Sequence, residues 1–142
     1  MITHSKPLKG HCLCGAVKFE AAPTGPTMGV CHCSMCRRWS GGVFMAVDCG
    51  ASLKIEDESA VGVYHSSDWG DRCFCKTCGS TLFWRLRQGA HDVVAAQAFD
   101  DPGQFAFTSE IFVDDKPGNY AFANHTAKMT GAEFLATFAP PS

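Results

Sequence analysis

The residues best equipped for chemistry are nine cysteines: Cys12, Cys14, Cys31, Cys33, Cys36, Cys49, Cys73, Cys75 and Cys78. All precede residue 79 of a 142-residue chain. Such a set either builds a disulfide framework or holds metal. The number is odd, Met1 to Gly10 is polar with no hydrophobic stretch of an export signal, and the chain is long enough to bury a core without staples. Each point favours metal. Cysteines one residue apart make poor disulfide partners, because the bridge needs a specific Cβ approach. They make good co-ligands, because residues i and i+2 of an extended segment face the same way.

The cysteines fall into three motifs. Gly10-His11-Cys12-Leu13-Cys14-Gly15 and Phe74-Cys75-Lys76-Thr77-Cys78-Gly79-Ser80 together supply four thiolates, the closed tetrahedral set of a structural zinc site. Such a site clips two distant segments and stabilises the fold directly. The alternative for Cys75 and Cys78 is a redox dithiol, which needs a helix N-terminus in a βαβ setting; the flanks here read as strand, turn and strand. The third motif, Cys31-His32-Cys33-Ser34-Met35-Cys36-Arg37-Arg38, offers three thiolates. Cys31 and Cys33 face one side of an extended segment, and Cys36 returns through a turn begun at Ser34. Three ligands leave one position open, the pattern of a catalytic zinc, and the open position suits a sulfur ligand or a water. His32 points to the opposite face and reads as an ordinary hydrogen-bonded residue. Arg37 and Arg38 are placed to stabilise thiolates or receive a carboxylate, or else form a solvated pair. Cys49 and Cys73 default to buried small hydrophobes, although Cys73 shares a face with Cys75 and is also placed to approach a metal.

These motifs must be carried by a mainly β framework. Strand patterns cover Ala16–Ala21, Val43–Val47, Ser52–Ile55, Val61–Tyr64, Thr81–Arg87, Val93–Phe99 and Phe105–Val113, separated by Gly and Pro. The spacing predicts a small antiparallel architecture with short helical pieces. One helix is expected near the end: Thr130 with Glu133 three residues later makes a capping box, followed by an apolar stripe of Phe134, Leu135 and Phe138. Trp39, Trp69 and Trp84 are expected in the core or in pocket walls. The length fits one zinc-binding domain over residues 1–142.

Composition narrows the function. Hydrophobic residues make up 46% and charged residues 18%, which excludes a disordered chain. No apolar run reaches the roughly 20 residues of a membrane span. The formal charge of −2 becomes about −5 with seven thiolates and two divalent ions bound, which argues against a nucleic-acid partner. No phosphate-binding loop or nucleophile elbow is present.

Read in order, G-H-C-L-C-G-A-V-K-F, C-H-C-S-M-C-R-R and F-C-K-T-C-G-S resemble the glutathione-dependent formaldehyde-activating enzyme family, which includes the centromere protein V relatives. Ala98-Phe99-Asp100-Asp101-Pro102, Ile111-Phe112-Val113 and Lys116-Pro117 fit its C-terminal half, so the likeness spans residues 9–125. The resemblance implies a β-tent fold of packed antiparallel sheets with zinc-knuckle ends. It implies two zinc ions per chain: a structural one on Cys12, Cys14, Cys75 and Cys78, and a catalytic one on Cys31, Cys33 and Cys36. It implies a carbon–sulfur lyase that joins formaldehyde to glutathione as S-hydroxymethylglutathione, acting in the cytoplasm on a small-molecule thiol. The competing readings are a non-catalytic zinc-stabilised binding module and a zinc-handling protein. The sequence does not fix the oligomeric state.

Overall fold

The computed structural model describes residues 6–138. In chain order the described elements are β1 (Leu8–His11), β2 (Lys18–Ala21), β3 (Thr27–Cys31), α1 (Ser34–Ser40), β4 (Phe44–Asp48), β5 (Lys54–Ile55), β6 (Val61–His65), β7 (Gly70–Cys75), β8 (Thr81–Leu86), β9 (Asp92–Ala95), β10 (Ala106–Ile111), β11 (Ala127–Met129) and α2 (Gly131–Ala136). A three-stranded sheet runs β1-β2-β5, and an eight-stranded sheet runs β11-β10-β3-β4-β9-β8-β7-β6. The protein is mainly β, as its strand patterns require. Antiparallel pairing prevails, but β10 runs parallel to both β3 and β11, which spacing alone does not reveal. No helix of the described residues is long and apolar enough to cross a membrane.

Alternation in β2 is what the sequence dictates: Phe19 and Ala21 are buried while Lys18 and Glu20 are exposed. Val17, Phe19 and Ala21 join Val47, Val61, Leu82, Phe83 and Val94 in one core that draws on both sheets. Phe99 stands edge-on to Phe19 at 5.3 Å and to Phe105 at 5.2 Å, a favoured aromatic arrangement. Cys49 and Cys73 lie in this core, as small hydrophobes. Burial pushes both thiols up to about 12.

Several elements depart from the sequence reading. Ser52–Ile55 shortens to the two residues of β5, and Val93–Phe99 becomes β9 followed by a 3₁₀ turn at Ala96–Ala98. The expected turn at Ser34 is the helix α1: the Cys33 sulfur accepts from the Cys36 amide at 3.3 Å, and the Gly41 amide closes the far end on the Arg37 carbonyl. Strand β3 has a glycine at its centre, where a side chain would collide with Ser109 of β10. Helix α2 has its capping box from Thr130 and Glu133. Of its apolar stripe only Phe134 packs inward, 6.0 Å from Phe112, while Leu135 and Phe138 stay exposed. Trp69 is 48% exposed and lies against Trp84, so of the core and the pocket walls expected for it the core is excluded.

The end of β3 is fixed by a buried polar network. His32 has no exposed surface. Its Nε2 lies 2.8 Å from Glu110 of β10, and its Nδ1 lies 2.6 Å from the Tyr120 hydroxyl. The Thr126 hydroxyl donates to the second Glu110 oxygen at 2.6 Å. These bonds hold the Glu110 carboxyl below its usual range despite burial, which pushes the other way. Nε2–H donates to the ionised Glu110, which leaves Nδ1 to accept from the Tyr120 hydroxyl. The backbone between Cys31 and Cys33 is therefore anchored from behind. Removing the carboxylate leaves the buried His32 Nε2–H and the Thr126 hydroxyl without their acceptor, so Glu110→Ala should lose about 1–3 kcal/mol of stability. Urea unfolding measures this, and a loss below about 1 kcal/mol would mean that the network contributes no more than one ordinary hydrogen bond.

Candidate functional site

Two groups of cysteines come together, each with its sulfurs within 4.8 Å of one another: Cys12, Cys14, Cys75 and Cys78, and separately Cys31, Cys33 and Cys36. Cys49 and Cys73 join neither group.

The first group is built from two matching turns. Cys12 and Cys14 follow β1 in a turn, not on the strand that the C-x-C spacing suggested. Gly15 ends that turn at φ 84°, and Gly79 ends the Cys75–Cys78 turn at φ 80°. Both glycines sit in the left-handed region that other residues rarely adopt. Their amides bond back to the carbonyls of Cys12 and Cys75. The sulfurs are then ringed by donors. Val17 N–H reaches Cys12 at 3.3 Å, Ala16 N–H reaches Cys14 at 3.4 Å, and Thr77 and Cys78 N–H reach Cys75 at 3.3 and 3.4 Å. Ser80 accepts from Leu13 N–H at 3.0 Å and places its hydroxyl 3.1 Å from Cys78. It thereby ties the two turns together, and with the amide donors it pulls the Cys78 thiol down to about 5.

Cys14 lies 3.7 Å from both Cys12 and Cys75, sulfur to sulfur. A disulfide would be about 2.05 Å. A tetrahedral ion with metal–sulfur bonds of about 2.3 Å separates its sulfurs by about 3.8 Å. The first group thus fits a tetrahedral metal ion closely.

The second group is assembled by two elements. Cys31 ends β3, Cys33 caps α1, and Cys36 lies in its first turn. Cys36 is buried; Cys31 and Cys33 are half-buried. Contacts among the three split their acidities. Hydrogen bonds from Cys31 and Cys36 pull Cys33 down to about 2, and the same trio pushes Cys31 upward. Among the described residues no fourth cysteine, histidine or carboxylate completes the set. His32 faces away into its network, and Arg37 donates Nε–H to the His32 carbonyl at 2.9 Å, bracing the loop. Arg38 is exposed. Sequence reasoning missed Arg72 of β7, whose Nη1 reaches the Cys36 sulfur at 3.4 Å. It also missed the roles of Ser80, Glu110 and Tyr120, which reach their partners only through the fold.

Comparison with known proteins now carries weight. A family model described as glutathione-dependent formaldehyde-activating enzyme matches residues 7–115. The chain belongs to this family. It is 35% identical over 128 residues to an uncharacterized lyase of Schizosaccharomyces pombe, covering 89% of this chain and 93% of that protein. It is 31% identical over 85 residues to a Halomonas elongata protein named provisionally as a glutathione-dependent formaldehyde-activating enzyme, covering 54% of each. A crystal structure of a Rhodobacter sphaeroides protein shares the fold, with a TM-score of 0.59 and 24% identity; the match covers 71% of this chain and all of that one. Membership in this family, together with a relative named as a lyase, supports a lyase-type role, and both of its cysteine groups can hold metal.

Ser80 gives a direct check on the first group. Ser80→Ala removes the acceptor for Leu13 and the donor to Cys78, and outer-shell losses of this kind weaken metal binding about 10- to 100-fold. Chelator competition should show that loss in the four-cysteine group with the three-cysteine group unchanged. Equal retention in both proteins would show that Ser80 does not support the site.

Proposed function

We propose that this protein is a zinc-dependent carbon–sulfur lyase of the S-hydroxymethylglutathione synthase type, holding two zinc ions. Cys12, Cys14, Cys75 and Cys78 hold the structural ion, and Cys31, Cys33 and Cys36 hold the catalytic one. The observation that carries this reading is the contrast between the groups: four sulfurs at tetrahedral spacing in one, three with a half-buried face in the other. Family membership supports this reaction class, and reduced, metal-binding cysteines suit the cytoplasm.

Held by Cys31, Cys33 and Cys36, a zinc ion would supply Lewis acidity that favours the thiolate form of a thiol at neutral pH. The net reaction adds the thiol across the carbonyl of formaldehyde. The sulfur–hydrogen bond breaks, a sulfur–carbon bond forms, the carbonyl π pair moves to oxygen, and that oxygen takes up a proton; nothing is oxidised or reduced. The chain's own residues supply positioning. His32, Glu110 and Tyr120 fix the backbone that carries Cys31 and Cys33. Arg37, half-buried beside this loop, braces it through the His32 carbonyl. The addition is already facile in water, so orientation of two small reactants accounts for the acceleration required.

Paired cysteine variants separate the two groups. Cys33→Ser should abolish catalysed exchange between formaldehyde and glutathione, followed by magnetisation-transfer NMR, with near-UV circular dichroism retained. Cys78→Ser should unfold the chain, because it opens the clip between residues 12 and 78. Full turnover in Cys33→Ser would refute the catalytic assignment.

A further inference from the structure

The two cysteine groups differ most in what balances their charge. Every sulfur of the first group meets a neutral donor, an amide or the Ser80 hydroxyl. In the second group such donors meet Cys33, from the Cys36 amide, and Cys31, from the Cys33 amide, but none is found at Cys36 among the described residues. The close donor at Cys36 is a full cation. Arg72 is 6% exposed, and its Nη1 lies 3.4 Å from the Cys36 sulfur. Its guanidinium lies over the Trp39 ring, 4.9 Å from the centroid. Its Nε is buried without a partner, and among the described residues no carboxylate lies within 4.0 Å of it.

A buried guanidinium with no carboxylate is costly unless another anion compensates it. The anion within reach is sulfur. Three thiolates around a divalent ion leave one net negative charge, and Arg72 supplies one positive charge at the Cys36 corner. A fourth, exogenous thiolate adds a second negative charge, which the same guanidinium then partly offsets. Stacking on Trp39 keeps the cation in place without neutralising it.

We propose that Arg72 is the built-in counter-ion of the three-cysteine centre, a positioning residue that governs how tightly this centre retains its metal and how readily it accepts an anionic fourth ligand. The inference rests on the reading of Cys31, Cys33 and Cys36 as a metal centre. It assigns different jobs to neighbouring positions of one strand. Cys75 at the end of β7 serves the first group, Arg72 three residues earlier serves the second, and the two centres share a rigid element.

The test uses cobalt(II), whose thiolate charge-transfer bands report sulfur ligation, in the full-length wild type, Arg72→Met and Arg72→Lys. Cobalt is withdrawn by a competing chelator, and Cys33→Ser identifies the bands of the second centre. Wild type should bind two cobalt ions; a single ion, in the four-cysteine group, would defeat the metal-centre reading itself. With two bound, Arg72→Met should release the second ion at about tenfold lower chelator concentration or less, and should need more added glutathione to shift its bands. The first ion should be retained as in wild type, which also verifies the fold. Arg72→Lys keeps the charge and should recover most of the retention. Equal release of the second ion from wild type and Arg72→Met, or Arg72→Lys as weak as Arg72→Met, would overturn the proposal. Should Arg72→Met fail to hold even the first ion, Arg72→Lys decides alone: retention near wild type supports the counter-ion, and a tenfold loss refutes it.

Discussion

Four sulfurs from opposite ends of the cysteine-rich region must meet at one point. That constraint orders the rest of the structure. Cys12 and Cys14 leave β1 of the small sheet, while Cys75 and Cys78 lie between β7 and β8 of the large one. Their convergence at 3.7 Å spacing joins the two sheets at one end, over a core that draws on both. It also fixes the height of β7. Because β7 is fixed, Arg72 is delivered to Cys36, and the three-cysteine group receives a partner that its own motif does not encode.

Donor chemistry then distinguishes the groups. Peptide amides and a serine hydroxyl spread a little positive potential around each sulfur of the first group, which suits a closed thiolate set meant to stay put. In the second group a guanidinium stands at the buried Cys36, while the half-buried Cys33 meets an amide. Rigidity at that second group comes from behind. The His32 network locks β3 to β10, and the chain beyond residue 115, where the family match ends, contributes Tyr120 and Thr126 to it. The C-terminal segment is thus tied to the ligand loop through a histidine that cannot itself ligate.

What was legible in the sequence was whatever depends on near neighbours. The alternation in β2 and the capping box of α2 rest on contacts within a few residues, and each appears as read. What failed depends on distant partners. β3 was hidden because a glycine at its centre interrupts the apolar pattern, and only Ser109 of β10 explains that glycine. The helix at Ser34 is capped by a cysteine, an unusual cap that reads as a ligand and not as a helix start. Parallel pairing of β10 was invisible because strand spacing carries no direction. Arg72 and Glu110 carry no local signal, since burial is decided by the neighbours that the fold brings.

The proposed lyase chemistry needs a coordination position at the three-cysteine group that an outside thiol can take. X-ray absorption at the zinc edge of the fully loaded protein, recorded with and without glutathione, tests it most directly. A rise in mean sulfur coordination on adding the thiol, reversed when the thiol is removed, is the predicted result. An unchanged sulfur shell in protein that carries both ions would contradict it, because a centre that admits no outside sulfur has no means of presenting one to an aldehyde.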